Sequence, residues 1–505
     1  GSPMSIKDRH ELAVTREKLT WLEQQYETAK SEPEENVRAQ EWTLRSLKQM
    51  AGKRCRCPRC KGAMQVPVAA PSVDPAPSPS RSSGPAAKPL SAKKRLAAIL
   101  DAFEGEFPRV RSTLAYRLGI LFVTFAVLLL PLIYLALIAG AGYFVYWHAT
   151  ANVGIVKAVR NVWAILFLYV GPLVAGAILI VFMIKPLFAR PARGGLGRKL
   201  KHGQEPLLFA FVDRIADAVG APEPQQIRVD CDVNASASFG RGLMGLFGRK
   251  LVLTIGLPLA AGLDVQQLAG VLAHELGHFA QGAGMRLSYV IRSVNGWFHR
   301  VVFERDEWDE ALARACQESG RLGLIFVVAL LGVWLTRGIL FILMMLGHAI
   351  SCVLLRQMEY DADRYEARLA GSAAFAATSR RIMLLAAGEQ AALPALVDFY
   401  QSGEFPENYP ALLLHTVEQL PSGLRRCLNK ETAGGKTGLF DTHPSFADRI
   451  ASARRENAPG IFHLDWPATA LFSNFDELTR QTSLDFYRRL FGRQISANYL
   501  VGSKE

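Results

Sequence analysis

The chain has 505 residues, half of them apolar, and carries a formal net charge of +13. That length exceeds one ordinary hydrophobic core, and the apolar residues gather in a few long runs, which excludes a simple soluble domain and points to a membrane protein. Nor does the charge indicate a nucleic-acid partner, because the basic residues crowd beside the apolar runs: Lys88, Lys93, Lys94, Arg95, Arg109, Arg111 and Arg117 precede the first, and Lys185, Arg190, Arg193, Arg198, Lys199 and Lys201 follow the second, as positive-inside anchors do.

Gly1-Ser2-Pro3 ahead of Met4 reads as an expression scar, and the charged start that follows is not the pattern of a cleavable signal peptide. Residues 5–50 alternate charge with a narrow apolar stripe broken at Ser31-Glu32-Pro33, which predicts two helices folded as a hairpin, whose seam is either purely structural or serves self-association or a partner protein. Cys55, Cys57 and Cys60 follow, and Cys57-Pro58-Arg59-Cys60 resembles one knuckle of a zinc ribbon. A tetrahedral structural zinc needs four ligands, and no second C-x-x-C exists in the chain. Three readings stay open: His10 completes the site, a second chain supplies its own knuckle, or no metal binds. The other four of the seven cysteines are isolated in sequence, which gives no disulfide framework and fits a reducing compartment. From about residue 65 to 92 the composition collapses to Pro, Ala and Ser, as a disordered linker does.

Residues 118–147 and 162–184 are apolar runs longer than the ~20 residues that cross a bilayer core, and they predict a transmembrane hairpin. Its connection holds only Lys157 and Arg160, so both outer flanks belong on the cytoplasmic side. Next comes an α-plus-β stretch: a helix near 206–219, a strand at 227–229, the segment Asn234-Ala235-Ser236-Ala237-Ser238-Phe239-Gly240, and a strand at 251–255. A third apolar region, 322–355, would measure about 51 Å as one straight helix. That exceeds a hydrocarbon core of ~30 Å, so a split at Arg337 into two short passes is expected, with buried helices of the soluble domain as the alternative.

Between these lies His274-Glu275-Leu276-Gly277-His278, with Asp264 and Gln267 ahead of it as a capping box and Leu268, Val271, Leu272 and Phe279 at helical spacing. Histidines four apart stack on one helix face. Two neutral imidazoles can hold Zn²⁺, and the carboxylate of Glu275 can take the proton of a water beside the metal. A third protein ligand is needed. The metzincin extension would place Gly at 281 and His at 284, where the chain has Gln281 and Gly284, so a glutamate from a later helix is expected; spacing alone does not choose it.

The order of features resembles the HtpX-like membrane zinc metalloproteases, relatives of the CAAX prenyl endopeptidases, over roughly residues 110–455. Two spans are followed by the Asn234–Gly240 segment, then H-E-x-x-H, a second apolar hairpin, Glu359-Tyr360-Asp361-Ala362-Asp363 as E-x-x-A-D, and His443-Pro444. This resemblance implies a mostly α membrane protein with transmembrane helices and a cytosolic gluzincin-type α+β zinc protease domain with a small sheet. It also implies His274, His278 and Glu359 as metal ligands, Glu275 as general base, Asp363 supporting a ligand from behind, His443 on the oxyanion side with Arg449 nearby, and Asn234, Ala235, Ser236 and Ala237 as an edge strand for substrate.

The resulting plan is a helical hairpin and knuckle (4–64), linker (65–92), transmembrane hairpin (110–188), catalytic region (200–320), second apolar hairpin (321–356), catalytic completion (357–455) and a helical carboxy-terminal extension (456–505). The expected protein is a multi-pass zinc endopeptidase of a bacterial inner (plasma) membrane. Its amino terminus and catalytic region face the cytoplasm, its partners are a polypeptide substrate and the lipid bilayer, and it uses one catalytic zinc, with a second structural zinc where the cysteines bind one. The competing reading is a non-catalytic membrane adaptor with a structural zinc; Glu275 argues against it, since a structural zinc has no use for a base between its ligands. An intramembrane protease is disfavoured because Gln266, Gln267 and Gln281 flank the motif.

Overall fold

The computed structural model describes residues 54–56, 63–65, 92–108, 110, 114–188, 197–239, 250–280, 283–303, 323–438, 440–492 and 494–502. The expected hairpin of residues 4–50, Cys57, Cys60, Gly240 and all but the two ends of the 65–92 linker lie outside these. Of Cys55 only the backbone is described, in a short antiparallel pair of β1 (Arg54–Arg56) and β2 (Ala63–Gln65) that sets Cys55 opposite Met64.

The chain is mostly helical. After α1 (Ala92–Asp101), α2 (Leu114–Ala151) rises as a 38-residue helix. The return pass begins at Val162, passes through a π-helical stretch at Leu166–Val170, and continues as α3 (Gly171–Ile184). Pro172 accounts for the π stretch: it has no N–H to donate, and its ring displaces the carbonyl one turn earlier. Tyr134 Oη donates to Met183 O at 2.7 Å, and Gly176 meets Val145, so the two passes are antiparallel.

Next come β3 (Arg198–Lys199), α4 (Pro206–Val219), β4 (Gln226–Asp230), β5 (Ala235–Phe239), β6 (Leu251–Gly256) and α5 (Val265–Ala280). The sheet order is β3-β4-β6-β5, with β4 and β6 parallel and β5 antiparallel to β6, which leaves β5 on an edge. Ile227, Val229, Leu251, Leu253 and Ile255 alternate toward one face and pack with Leu208, Phe211 and Ile215 of α4 and Leu268 and Leu272 of α5. The capping box forms: Gln267 N donates to Asp264 Oδ1 at 2.7 Å, and Asp264 N to Gln267 Oε1 at 3.3 Å.

Here the structure corrects the expected hairpin at 321–356. α6 (Ala283–Phe303) is followed by one continuous 48-residue helix, α7 (Gly323–Ala370). No proline interrupts it, and a single Gly338 costs a helix only ~1 kcal/mol, so Thr336-Arg337-Gly338 does not break it. Its antiparallel partner is α6: Arg292 meets Glu359, Asn295 donates to Ser351, and Phe303 meets Phe341 edge-on. Leu130 of α2 packs over Gly347, so α2, α3, α6 and α7 form one bundle with its own buried core.

α8 (Ser372–Ser402), α9 (Tyr409–Glu418), α10 (Phe446–Glu456) and α11 (Phe475–Phe491) complete the domain, with β7 (Phe405–Pro406) and β8 (Leu500–Val501) paired in parallel. By length and composition, four helical stretches among the described residues could cross a membrane: Tyr116–Ala158, Val162–Phe188, Ala329–Ala370 and Ser372–Ser402. The last buries Leu385 and Leu396 in the sheet-bearing core, so it belongs to that core. The carboxy-terminal extension is part of the same core through Phe462, Leu471, Phe486 and Tyr487.

Candidate metal centre

α5 and the lower end of α7 pack face to face, and glycine permits it. A Cβ at Gly277 would lie 2.8 Å from the Tyr365 ring, and one at Gly270 would lie 3.1 Å from Glu366 Cγ. Across this seam stand His274, Glu275, His278, Glu359, Asp363 and Glu366, all buried. Charged groups are placed inside only with partners or a metal, and here four carboxylates share one small space.

Glu359 Oε2 is 3.6 Å from His274 Nε2, and its Oε1 is 3.7 Å from His278 Nε2. Zinc bonds of about 2.0–2.1 Å at tetrahedral angles set donor atoms roughly 3.3 Å apart, so small side-chain adjustments would bring these three onto one ion. Both ring nitrogens of His278 are buried without a hydrogen-bond partner, and a metal would satisfy Nε2. The residues therefore fit a zinc ion held by His274, His278 and Glu359. The far nitrogen of His274, Nδ1, is 3.2 Å from Asp363 Oδ1, short of ideal hydrogen-bond direction, and 3.8 Å from Glu366 Oε2. Arg449 grips Asp363 from the other side, with Nη2 to Oδ1 at 2.6 Å and Nε to Oδ2 at 3.0 Å.

Glu275 also meets the edge strand, where Ala237 N donates to its Oε2 at 3.3 Å. Of the expected edge residues, Ala235, Ser236 and Ala237 lie in β5, and Asn234 immediately precedes it. His443 Nδ1 lies 3.2 Å from Glu359 Oε2. Its loop is set by Ser445, which caps α10 by accepting from Asp448 N, while Asp448 accepts from Thr437 N. Sequence reasoning missed two residues. Arg292 of α6 reaches Glu359 Oε1 at 3.5 Å, and no local pattern announces it. Glu366 had a faint signal, since it lies one turn past Asp363 on the same face, but nothing in sequence pairs it with Gly270.

The electrostatics differ from group to group. Burial opposes the charged form of His274, yet Asp363 and Glu359 outweigh it and raise its pKa to about 10. Burial, reinforced by the nearby Arg292, holds His278 well below the usual imidazole range, so it is neutral and ready to ligate. Burial also raises the Glu275 carboxyl.

The model of a family described as peptidase family M48 matches residues 204–457. Protease HtpX of Acinetobacter baylyi is 26% identical over 211 residues, 41% of this chain and 59% of that protein. The Protease HtpX homolog of Paracidovorax citrulli is 25% identical over 292 residues, 56% of this chain and 82% of that protein. Among solved structures, S. mikatae Ste24p is similar over 65% of this chain and 66% of its own, at 18% identity and a TM-score of 0.26. The chain spans little more than half the length of the first curated relatives it matches.

Proposed function

This chain belongs to peptidase family M48, and from that premise we propose that it is a membrane-anchored zinc endopeptidase cutting membrane or membrane-associated polypeptides at the cytoplasmic face. One observation carries the reading: the His274, His278 and Glu359 cluster stands beside a carboxylate, Glu275, that contacts the backbone of β5, an edge of the sheet among the described residues. A purely structural metal would need neither the carboxylate nor the edge.

When bound, zinc would polarise the scissile carbonyl and lower the pKa of a neighbouring water toward ~7. The chain's own groups do the rest. An extended substrate adds to β5 by main-chain hydrogen bonds, and the Ala237 N–H that Glu275 now occupies is one of the donors offered along that edge. Main-chain pairing reads little sequence, which suits quality control of damaged or unassembled proteins. With substrate on the edge, Glu275 is released to take the proton of the attacking water and pass it to the leaving amine. His443 and Arg292, on the far side of Glu359, bring positive charge and N–H donors toward the oxygen on which charge develops. Asp363 fixes the orientation of His274 from behind, and Arg449 fixes Asp363.

The location proposed is a bacterial inner membrane, with the amino terminus and catalytic region on the cytoplasmic side, because Lys157 and Arg160 are outnumbered by the basic residues on both outer flanks. The amino-terminal hairpin, as a docking seam, and a structural zinc at Cys55, Cys57 and Cys60 belong to the same proposal. The test is Glu275→Gln: it should keep one equivalent of zinc at the cluster and the native melting profile while peptide hydrolysis stops. Turnover equal to wild type would remove the mechanism.

A further inference from the structure

The loop that delivers His443 does not stay with the soluble domain. Its base is pinned below, where Ser445 N donates to Thr437 Oγ1 at 2.9 Å and Ser445 Oγ donates to Gly435 O at 2.8 Å. Its tip climbs α7 toward the apolar half of that helix. Arg356 Nη1 donates to Gly438 O at 2.9 Å, and two turns farther on His348 Nε2 hydrogen-bonds to Phe440 O. From Glu359, which His443 touches, to His348 is 11 residues, or about 16 Å of helix. At this height the helix leaves Ile342, Leu346 and Val353 exposed, on the stretch long and apolar enough to cross a membrane. The Phe440 side chain is itself 52% exposed.

We propose that the tip of this loop at Phe440 is seated in the bilayer edge, with Phe440 in contact with phospholipid acyl chains, and that this contact holds His443 at the metal centre. The backbone chemistry of the tip supports this. Irregular backbone survives at membrane depth only where its polar groups are met by protein. Here Gly438 O accepts from Arg356, Gly438 N donates to Asp441 Oδ2 at 2.7 Å, and Phe440 O is met by His348. The only acidic side chain of the tip, Asp441, is folded back onto that backbone. What remains outward at Phe440 is an exposed aromatic ring, at the height on α7 where Ile342, Leu346 and Val353 are also exposed. A phenylalanine at that level can bury its ring at the boundary between headgroup and acyl chains.

The location is tested without reference to activity. Benzoylphenylalanine replaces Phe440, Val353 or Tyr499, one at a time, in the full chain reconstituted into phosphatidylethanolamine–phosphatidylglycerol vesicles. After irradiation, peptide mass spectrometry is expected to find phospholipid adducts at 353 and 440 and none at 499, which is exposed on the soluble domain. Adducts at 353 with only protein cross-links at 440 would overturn the proposal. A second arm rests on the protease reading above: Phe440→Asp should lose peptide turnover in vesicles while keeping its zinc, and Phe440→Leu should retain both. Phospholipid adducts at 440 in the benzoylphenylalanine variant, together with no turnover by the unsubstituted protein, would sink the protease reading and leave the membrane contact standing. Equal turnover by the Asp and Leu variants would sink the coupling to His443.

Discussion

Asp363→Asn is the most informative single change, because Asp363 stands between two groups with different demands. Toward the metal it faces His274 Nδ1 at 3.2 Å, and toward the domain it accepts a two-point grip from Arg449. The amide keeps the volume and an acceptor oxygen but loses the charge. On the metal side, loss of such an outer partner lowers zinc affinity by about 10–100-fold, or ~1.4–2.7 kcal/mol. On the other side, the Arg449 guanidinium, with a side chain only 19% exposed, is left against a neutral group. Breaking a buried pair costs up to ~3–5 kcal/mol of stability, with the low end expected here because one hydrogen bond can persist. The two effects separate in the double variant Asp363→Asn/Arg449→Met. Removing the stranded charge should restore much of the melting temperature of the metal-free protein, whereas zinc affinity, measured by competition with a chromophoric chelator, should stay low. Wild-type zinc affinity in Asp363→Asn, or its restoration in the double variant, would refute the orientation argument.

Three further outcomes are expected. Gly277→Ala should cost ~1–3 kcal/mol of stability, because the new methyl meets a Tyr365 ring already stacked on Phe107 at 5.7 Å, and an unchanged melting temperature would contradict the close packing of α5 on α7. Since the His274 pKa is raised to about 10, zinc must expel its proton at neutral pH; affinity should therefore fall with acidity, by about tenfold per unit between pH 8 and 6, and a flat chelator-competition profile would count against this. Deleting residues 461–505 should abolish zinc retention, because Trp466 O accepts from Val265 N at 2.7 Å at the start of the zinc helix and Ala468 N donates to Leu263 O at 3.1 Å; a truncated protein still holding zinc would show the strap to be dispensable.

Much of the fold was legible because its signals are local. The capping box at Asp264 and Gln267, the helix at Pro206–Val219 and the alternation in β4 and β6 each rest on neighbours within a few residues. The expected second hairpin fails for a physical reason. Apolarity does not mark every helix of the bundle: α6 carries Arg292 and Arg300 and still packs Ile291, Val294 and Phe298 into the core. A helix covered by others on most sides needs only an apolar stripe, so its composition resembles that of a soluble helix. With α6 hidden in this way, the ~51 Å apolar stretch 322–355 reads as two passes, when it is part of one helix that continues past it to carry Glu359, Asp363 and Glu366.

The metal cluster divides along the same line. His274, Glu275 and His278 are fixed by one helix and can be read from spacing alone. Glu359 and Asp363 lie 81 and 85 residues beyond His278, on a helix whose facing is set by Gly270 and Gly277, so only the resemblance could select them. Arg292 has no helical register with any ligand; α6 brings it back over Glu359 only because its antiparallel seam with α7 is fixed by Asn295 and Ser351. Such residues become visible once two helices are placed side by side. A buried-site charge of this kind can therefore change between related chains without disturbing any local motif.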